Sequence, residues 1–172
     1  MVEKNLKDLL IDVQAIRFGD FTLASGKKSG IYIDIKMAMT NPDILKVVAR
    51  SVTSLNIFWD VAAGVAVGGI PLAVASSLES GKPYVIIRKE QKGHGLSSLI
   101  IGDVHERRVL MIEDVTTSGG SALFGVEQIR KAGGIITDII SVVDRNEGAT
   151  KTLKEAGITL TPLISITDLL QN

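Results

Sequence analysis

Short apolar runs of Val, Ile, Leu and Ala that alternate along the chain with segments of helical periodicity predict an α/β domain. Such a domain has a mainly parallel central sheet flanked by helices. The runs lack polar alternation, as strands buried on both faces require, and Gly, Pro or Asn punctuates their junctions with the helices. At 172 residues the chain fits one domain, 1–172, and is long enough to bury most of its apolar surface. Hydrophobic residues make up 45% of it and aromatics only 4%, so the core must be aliphatic. The formal net charge is zero, which argues against a general nucleic-acid or membrane-surface binder. With no cysteine and two histidines, disulfides, thiolate catalysis, zinc-thiolate sites and His-rich metal sites are all excluded. No run reaches the length of a membrane span, and M-V-E-K-N-L-K-D lacks the apolar region of a signal peptide; a cytoplasmic protein is expected.

Leu6, Leu9, Leu10 and Val13 share one helical face, so an amphipathic helix is expected from Val2 to Ile16. From Phe18 to Lys36 the pattern predicts a short strand, a Ser/Gly/Lys turn and an alternating strand through Ile31, Ile33 and Ile35. Lys27 and Lys28 would by themselves be a solvated hairpin tip. Asn41-Pro42-Asp43 starts a helix: an N-cap, a proline in the first turn and an acid that complements the dipole. Its core face is Ile44, Val47, Val48, Val52 and Leu55. A small apolar strand follows over Asp60–Ala66, then Val67, Gly68 and Gly69, with a helix from Ile70 that Gly81 ends. The two glycines let backbone approach a ligand, although a plain strand-to-helix turn accounts equally well for the spacing.

Tyr84 to Ile87 reads as a buried strand that runs straight into R-K-E-Q-K-G-H-G, Arg88 to Gly95. Such a charge run is ordinarily a solvated loop. Leu99–Asp103 and Arg107–Ile112 form a returning strand, with His105 an exposed turn residue of no assigned role. Ile135 to Val143 is a further strand, and Arg145 follows it at the edge where open α/β sheets bind ligands. Its guanidinium suits a carboxylate, and an ion pair with Asp144 or Glu147 is the competing explanation. A short helix over Thr150–Ala156, a strand over Ile158–Ile166 interrupted by Pro162, and a terminal turn from Asp168 complete the chain.

The chemistry converges on V-L-M-I-E-D-V-T-T-S-G-G-S-A, Val109 to Ala122. An apolar strand, Glu113 and Asp114 at its carboxyl end, a small-residue loop and a helix through Ala122, Leu123, Val126 and Ile129 make an anion site. Loop N–H groups converge on a phosphate, and Thr116, Thr117, Ser118 and Ser121 add hydroxyls beside Gly119 and Gly120. Neither a P-loop Lys-Ser/Thr nor a G-x-G-x-x-G turn is present. An acidic pair before a phosphate cradle can grip two ribose hydroxyls; the bland alternative is a capped turn with a solvated acidic pair.

This stretch resembles the phosphoribosyl-pyrophosphate (PRPP) motif of type I phosphoribosyltransferases, which implies that fold, with a small hood from about residues 1–40. R-K-E-Q-K-G-H-G resembles the mobile catalytic loop of the orotate phosphoribosyltransferases, the most discriminating match. Phe21 to Tyr32 fits their F-x-L-x-S-G-x-x-S-x-x-Y segment, and Asp144 to Glu147 their D-R-x-E. The resemblance implies transfer of the 5-phosphoribosyl group from PRPP to orotate, giving orotidine 5′-monophosphate and pyrophosphate in pyrimidine biosynthesis. Lys92, His94 and Asp114 would be catalytic. PRPP would be bound by Arg88, Lys89, Lys92, His94, Glu113, Asp114 and Thr116–Ser121, and its pyrophosphate also by Val67, Gly68 and Gly69. Orotate would meet Thr117 and Arg145, and Lys27 or Lys28 would replace the lysine that many bacterial members carry where Ala24 stands. Some members also carry a lysine where Gly68 stands, leaving the backbone to act alone here. Mg²⁺ is the implied cofactor, held by substrate oxygens and water with no direct protein ligand. A homodimer with shared active sites is implied, as is a possible orotidine-monophosphate decarboxylase partner, with no membrane or nucleic acid. Two alternatives stay open: a purine-base phosphoribosyltransferase, and a PRPP-sensing regulator that binds nucleic acid, which would show salt-sensitive binding and need neither Lys92 nor His94.

Overall fold

The computed structural model describes residues 5–22, 26, 28–90 and 98–170. Asn5 caps the first helix, α1 (Leu6–Asp12), its side chain accepting from the Asp8 N–H, and Leu6 and Leu10 face inward. The helix is shorter than its apolar periodicity suggests: Gln14 turns left-handed at φ 58°, and by Ile16 the chain has entered a strand. That strand, β1 (Ile16–Thr22), pairs antiparallel with β2 (Lys28–Ile33), with Ile16 opposite Ile33 and Thr22 opposite Lys28. The alternation expected to run through Ile35 stops two residues earlier. Asp34 accepts a hydrogen bond from the Met37 N–H at 3.1 Å and opens a short helix, α2 (Ile35–Ala38), which carries Lys36.

The Asn41 cap opens α3 (Pro42–Ser54) as its sequence requires, and Ile44, Val48, Ala49 and Val52 are buried, whereas Leu55 lies outside as an exposed cap residue. Next come β3 (Val61–Val65), α4 (Gly69–Ser80) closed by left-handed Gly81, β4 (Tyr84–Ile87), β5 (Ile100–Ile101) and β6 (Arg108–Thr116). The chain then forms α5 (Gly120–Lys131), β7 (Ile135–Asp144), α6 (Ala149–Glu155), β8 (Thr159–Ser165) and α7 (Ile166–Leu170). Asp168, expected to start a terminal turn, sits inside α7 and accepts from the Ser165 N–H at 3.1 Å. The six-stranded sheet has the order β5-β4-β3-β6-β7-β8 and is parallel except for the β5 edge.

Alternation along β6 divides the core. Leu110 and Ile112 join α1, α2, α3 and the β1–β2 ribbon on one face; Val109 and Met111 join Val126, Ile129 and Leu153 from α5 and α6 on the other. One boundary bears on function. β6 runs past its apolar stretch to Thr116, because the ladder with β7 continues through Glu113 opposite Ser141 and Thr116 opposite Asp144. Glu113 and Asp114 therefore lie within a strand rather than beyond its end.

Candidate active site

Burial of both acids is the first consequence. Glu113 is 4% and Asp114 6% exposed, so a solvated acidic pair is not what the chain builds. Burial, and then the adjacent Asp114 charge, push the Glu113 carboxyl up to about 8, against a smaller opposing pull from Lys89 and Lys36. Its Oε1 has no hydrogen-bond partner among the described residues. Asp114, by contrast, is paired: Lys36 Nζ donates to its Oδ2 at 2.6 Å. That bond raises the Lys36 ammonium above its ordinary value, more than desolvation lowers it. Lys36 is a site residue that the sequence did not reveal, since its partner lies 78 positions away and nothing local marks a lysine in a short helix.

Gly68 closes the other side of Asp114. A Cβ on Gly68 would stand 2.4–2.6 Å from the Asp114 carboxyl atoms, so backbone packs directly against the acid. Gly64 and Gly69 allow this approach: a Cβ on Gly69 would meet the Ile112 carbonyl oxygen at 2.6 Å, and one on Gly64 the Gly69 carbonyl oxygen at 2.2 Å. Val67 is 72% exposed at the mouth of this turn.

Past Thr116 the chain builds the anion cradle. Gly119 takes φ 87° as the first residue before α5, and no side chain among the described residues caps that helix. Thr117, Ser118, Gly120 and Ser121 are exposed there, so hydroxyls and uncapped helical N–H groups share one opening. Thr116 departs from expectation: its hydroxyl turns into the sheet, 3% exposed, and donates to Asp144 Oδ1 at 2.9 Å. Ser141 Oγ lies 3.2 Å from it and Asp144 also accepts from the Asn146 N–H, so Thr116 supports the loop from beneath rather than offering a hydroxyl to a phosphate. This buried network went unread because each member looks like an ordinary strand residue.

Arg145 follows β7 with a side chain 14% exposed, and its Nε lies 2.9 Å from Glu147 Oε1 in an ion pair that is off line for a hydrogen bond. Its backbone N–H donates to the Thr116 carbonyl, tying it to the cradle. Arg88 reaches the Ser98 carbonyl at 2.8 Å, and Lys89 stands close enough to act on Glu113. Lys28, expected at the orotate, is turned to Thr22 Oγ1, 2.9 Å away across the ribbon. Lys27, Lys92, His94 and Ala24 lie outside the described residues. Among the described residues no three His, Cys, Asp or Glu side chains cluster as a metal site. No helix there is long and apolar enough to cross a membrane.

No protein-family model matches the chain. It is 65% identical over 170 residues to an orotate phosphoribosyltransferase of Methanospirillum hungatei, covering 99% of each, and 46% identical to one of Methanocaldococcus jannaschii, covering 97% and 96%. The crystal structure of the Aeropyrum pernix orotate phosphoribosyltransferase superposes with a TM-score of 0.86 at 31% identity, covering 96% of both chains. The Mycobacterium tuberculosis enzyme in complex with PRPP superposes with a TM-score of 0.80 at 27% identity, covering 96% and 99%. An adenine phosphoribosyltransferase at 18% identity, TM-score 0.72, shares the fold alone. With relatives at this identity across nearly its whole length, the chain belongs to the orotate phosphoribosyltransferase family.

Proposed function

We propose that this protein transfers the 5-phosphoribosyl group of PRPP to orotate, forming orotidine 5′-monophosphate and pyrophosphate. The observation that carries the reading is the buried Glu113–Asp114 pair set one loop away from the uncapped start of α5. That arrangement matches a ribose with a 5-phosphate: carboxylates accept from its hydroxyls while helical and loop N–H groups take the phosphate. As the C1–oxygen bond to pyrophosphate breaks, the ring turns cationic and the leaving group gains charge; a bond from orotate nitrogen to C1 replaces it. Catalysis is then positioning plus electrostatic stabilisation. Asp114 and Glu113 favour the cationic ring, while Lys89, Lys92 and His94 offset the charge on pyrophosphate beside the Val67–Gly69 backbone. Arg145 gives up Glu147 for the orotate carboxylate, next to Thr117. Two carboxylates, one with an oxygen unpartnered among the described residues, fit Mg²⁺ that is carried largely on substrate oxygen and water, and the ion would supply further charge neutralisation.

In this reading the protein works in the cytoplasm as a homodimer whose loops complete each other's sites, and its product passes to a decarboxylase. The apolar groove of about 480 Å³ between α3 and α4, lined by Leu45, Ala49, Ile70, Val74 and Leu78, supports a second copy as its cover.

Loss of orotate absorbance, with PRPP, orotate and Mg²⁺ omitted in turn, tests the reading. Turnover that needs all three is expected, and none with any combination sinks it. Lys92→Ala should lower kcat by about 10²–10³-fold, the cost of one lost group that stabilises transition-state charge, while orotate affinity holds. An unchanged kcat removes Lys92 from the chemistry.

A further inference from the structure

We propose that Lys36 is a positioning residue for the ribose end of PRPP, its ammonium holding the Asp114 carboxylate in the orientation that accepts the ribose hydroxyls. The inference rests on Asp114 being a ribose ligand, as read above. Three observations lead to it. Asp114 is 6% exposed and follows the still more buried Glu113 on β6, so little water reaches either acid. Lys36 donates to Asp114 Oδ2 at 2.6 Å, whereas Glu113 Oε1 has no hydrogen-bond partner among the described residues. The Gly68 backbone fills the space on another side of the same carboxylate, so Asp114 is fixed between a wall and a cation.

Among the described residues the charged groups around this contact are few. Asp34 and Glu113 join Asp114 in acting on Lys36, and Lys89 acts on Glu113 from beyond β4. Lys36 is the cation that pairs with Asp114, and it reaches the acid from outside with a side chain 65% exposed. Such a group fixes the orientation of the Asp114 carboxylate, yet leaves the opening to solvent for a ligand. Lys36 also belongs to the segment that leads out of the β1–β2 ribbon, and so connects the ribbon to the ribose carboxylate.

The test is steady-state kinetics of the full chain. Lys36→Met keeps the stem and removes the charge; it should raise the KM for PRPP by about tenfold, the size of one charge-assisted hydrogen bond, and lower kcat, with the KM for orotate unchanged. Lys36→Arg should bring the PRPP KM back to within about threefold of wild type. If Lys36 acts through Asp114, Lys36→Met should add nothing to PRPP affinity in an Asp114→Asn background, read by calorimetric titration of PRPP. A PRPP KM that is unchanged, falls, or rises in step with the orotate KM overturns the proposal, as does a fully additive double variant. A wild-type protein inactive in the same assay overturns the functional reading instead.

Discussion

Burial raises the Glu113 carboxyl to about 8 from the ordinary 4.5, so the folded, ligand-free protein holds its proton more tightly than the unfolded chain does. The sign follows from counting protons. Between these values the folded state holds one that the unfolded state has released, so stability falls as pH rises through that window. Glu113→Gln, which mimics the neutral acid, should leave thermal stability unchanged near pH 4 and raise it at pH 8 by about 4 kcal/mol; scanning calorimetry at both pH values checks this. A variant no more stable at pH 8 would mean that the acid is ionised without cost. Thr116→Val removes the 2.9 Å donor to Asp144, itself 2% exposed, and should cost about 1–3 kcal/mol in urea unfolding. Sequence named the acidic pair but not its burial, because Val115 and the loop hydroxyls after it look like the start of a turn. Lys36 and the Thr116–Asp144 contact were illegible for a different reason: each is a pairing between distant segments, with no local periodicity to betray it.

Among the elements, the turn from β3 into α4 shows how backbone shape and chemistry separate. Gly64 and Gly68 look alike in sequence, but a Cβ at Gly64 strikes the Gly69 carbonyl whereas one at Gly68 first strikes the Asp114 side chain. Gly64→Ala should therefore cost more than about 3 kcal/mol or prevent folding, since main chain must move. Gly68→Ala should keep its melting temperature within a few degrees while PRPP binding weakens, because Asp114 is displaced; circular dichroism and titration of PRPP read the two effects separately. Helices with strong caps were legible, as Asn41-Pro42-Asp43 was. Boundaries set by tertiary demands were not: the ribbon stops at Ile33 because Asp34 caps a new helix, and β6 lengthens because β7 offers it partners.

At the scale of the molecule, the aliphatic composition and alternating elements disclosed the parallel sheet, and two cores on its two faces bear that out. The strand order did not follow from periodicity, which says nothing about neighbours. That order has a consequence for what the site tolerates. Arg88 and Lys89 leave β4, Val67 to Gly69 leave β3, the acids and the cradle belong to β6, and Arg145 leaves β7, four strands that lie side by side. At about 4.8 Å per strand the row from β4 to β7 measures roughly 14 Å, and hydrogen-bonded ladders rather than rotamers set that length. The sheet thus acts as a ruler laid crosswise under the proposed ligand site. Compounds that change the separation between their two anionic ends along this row meet a rigid scale, while additions pointing off the sheet toward solvent meet only side chains that can yield.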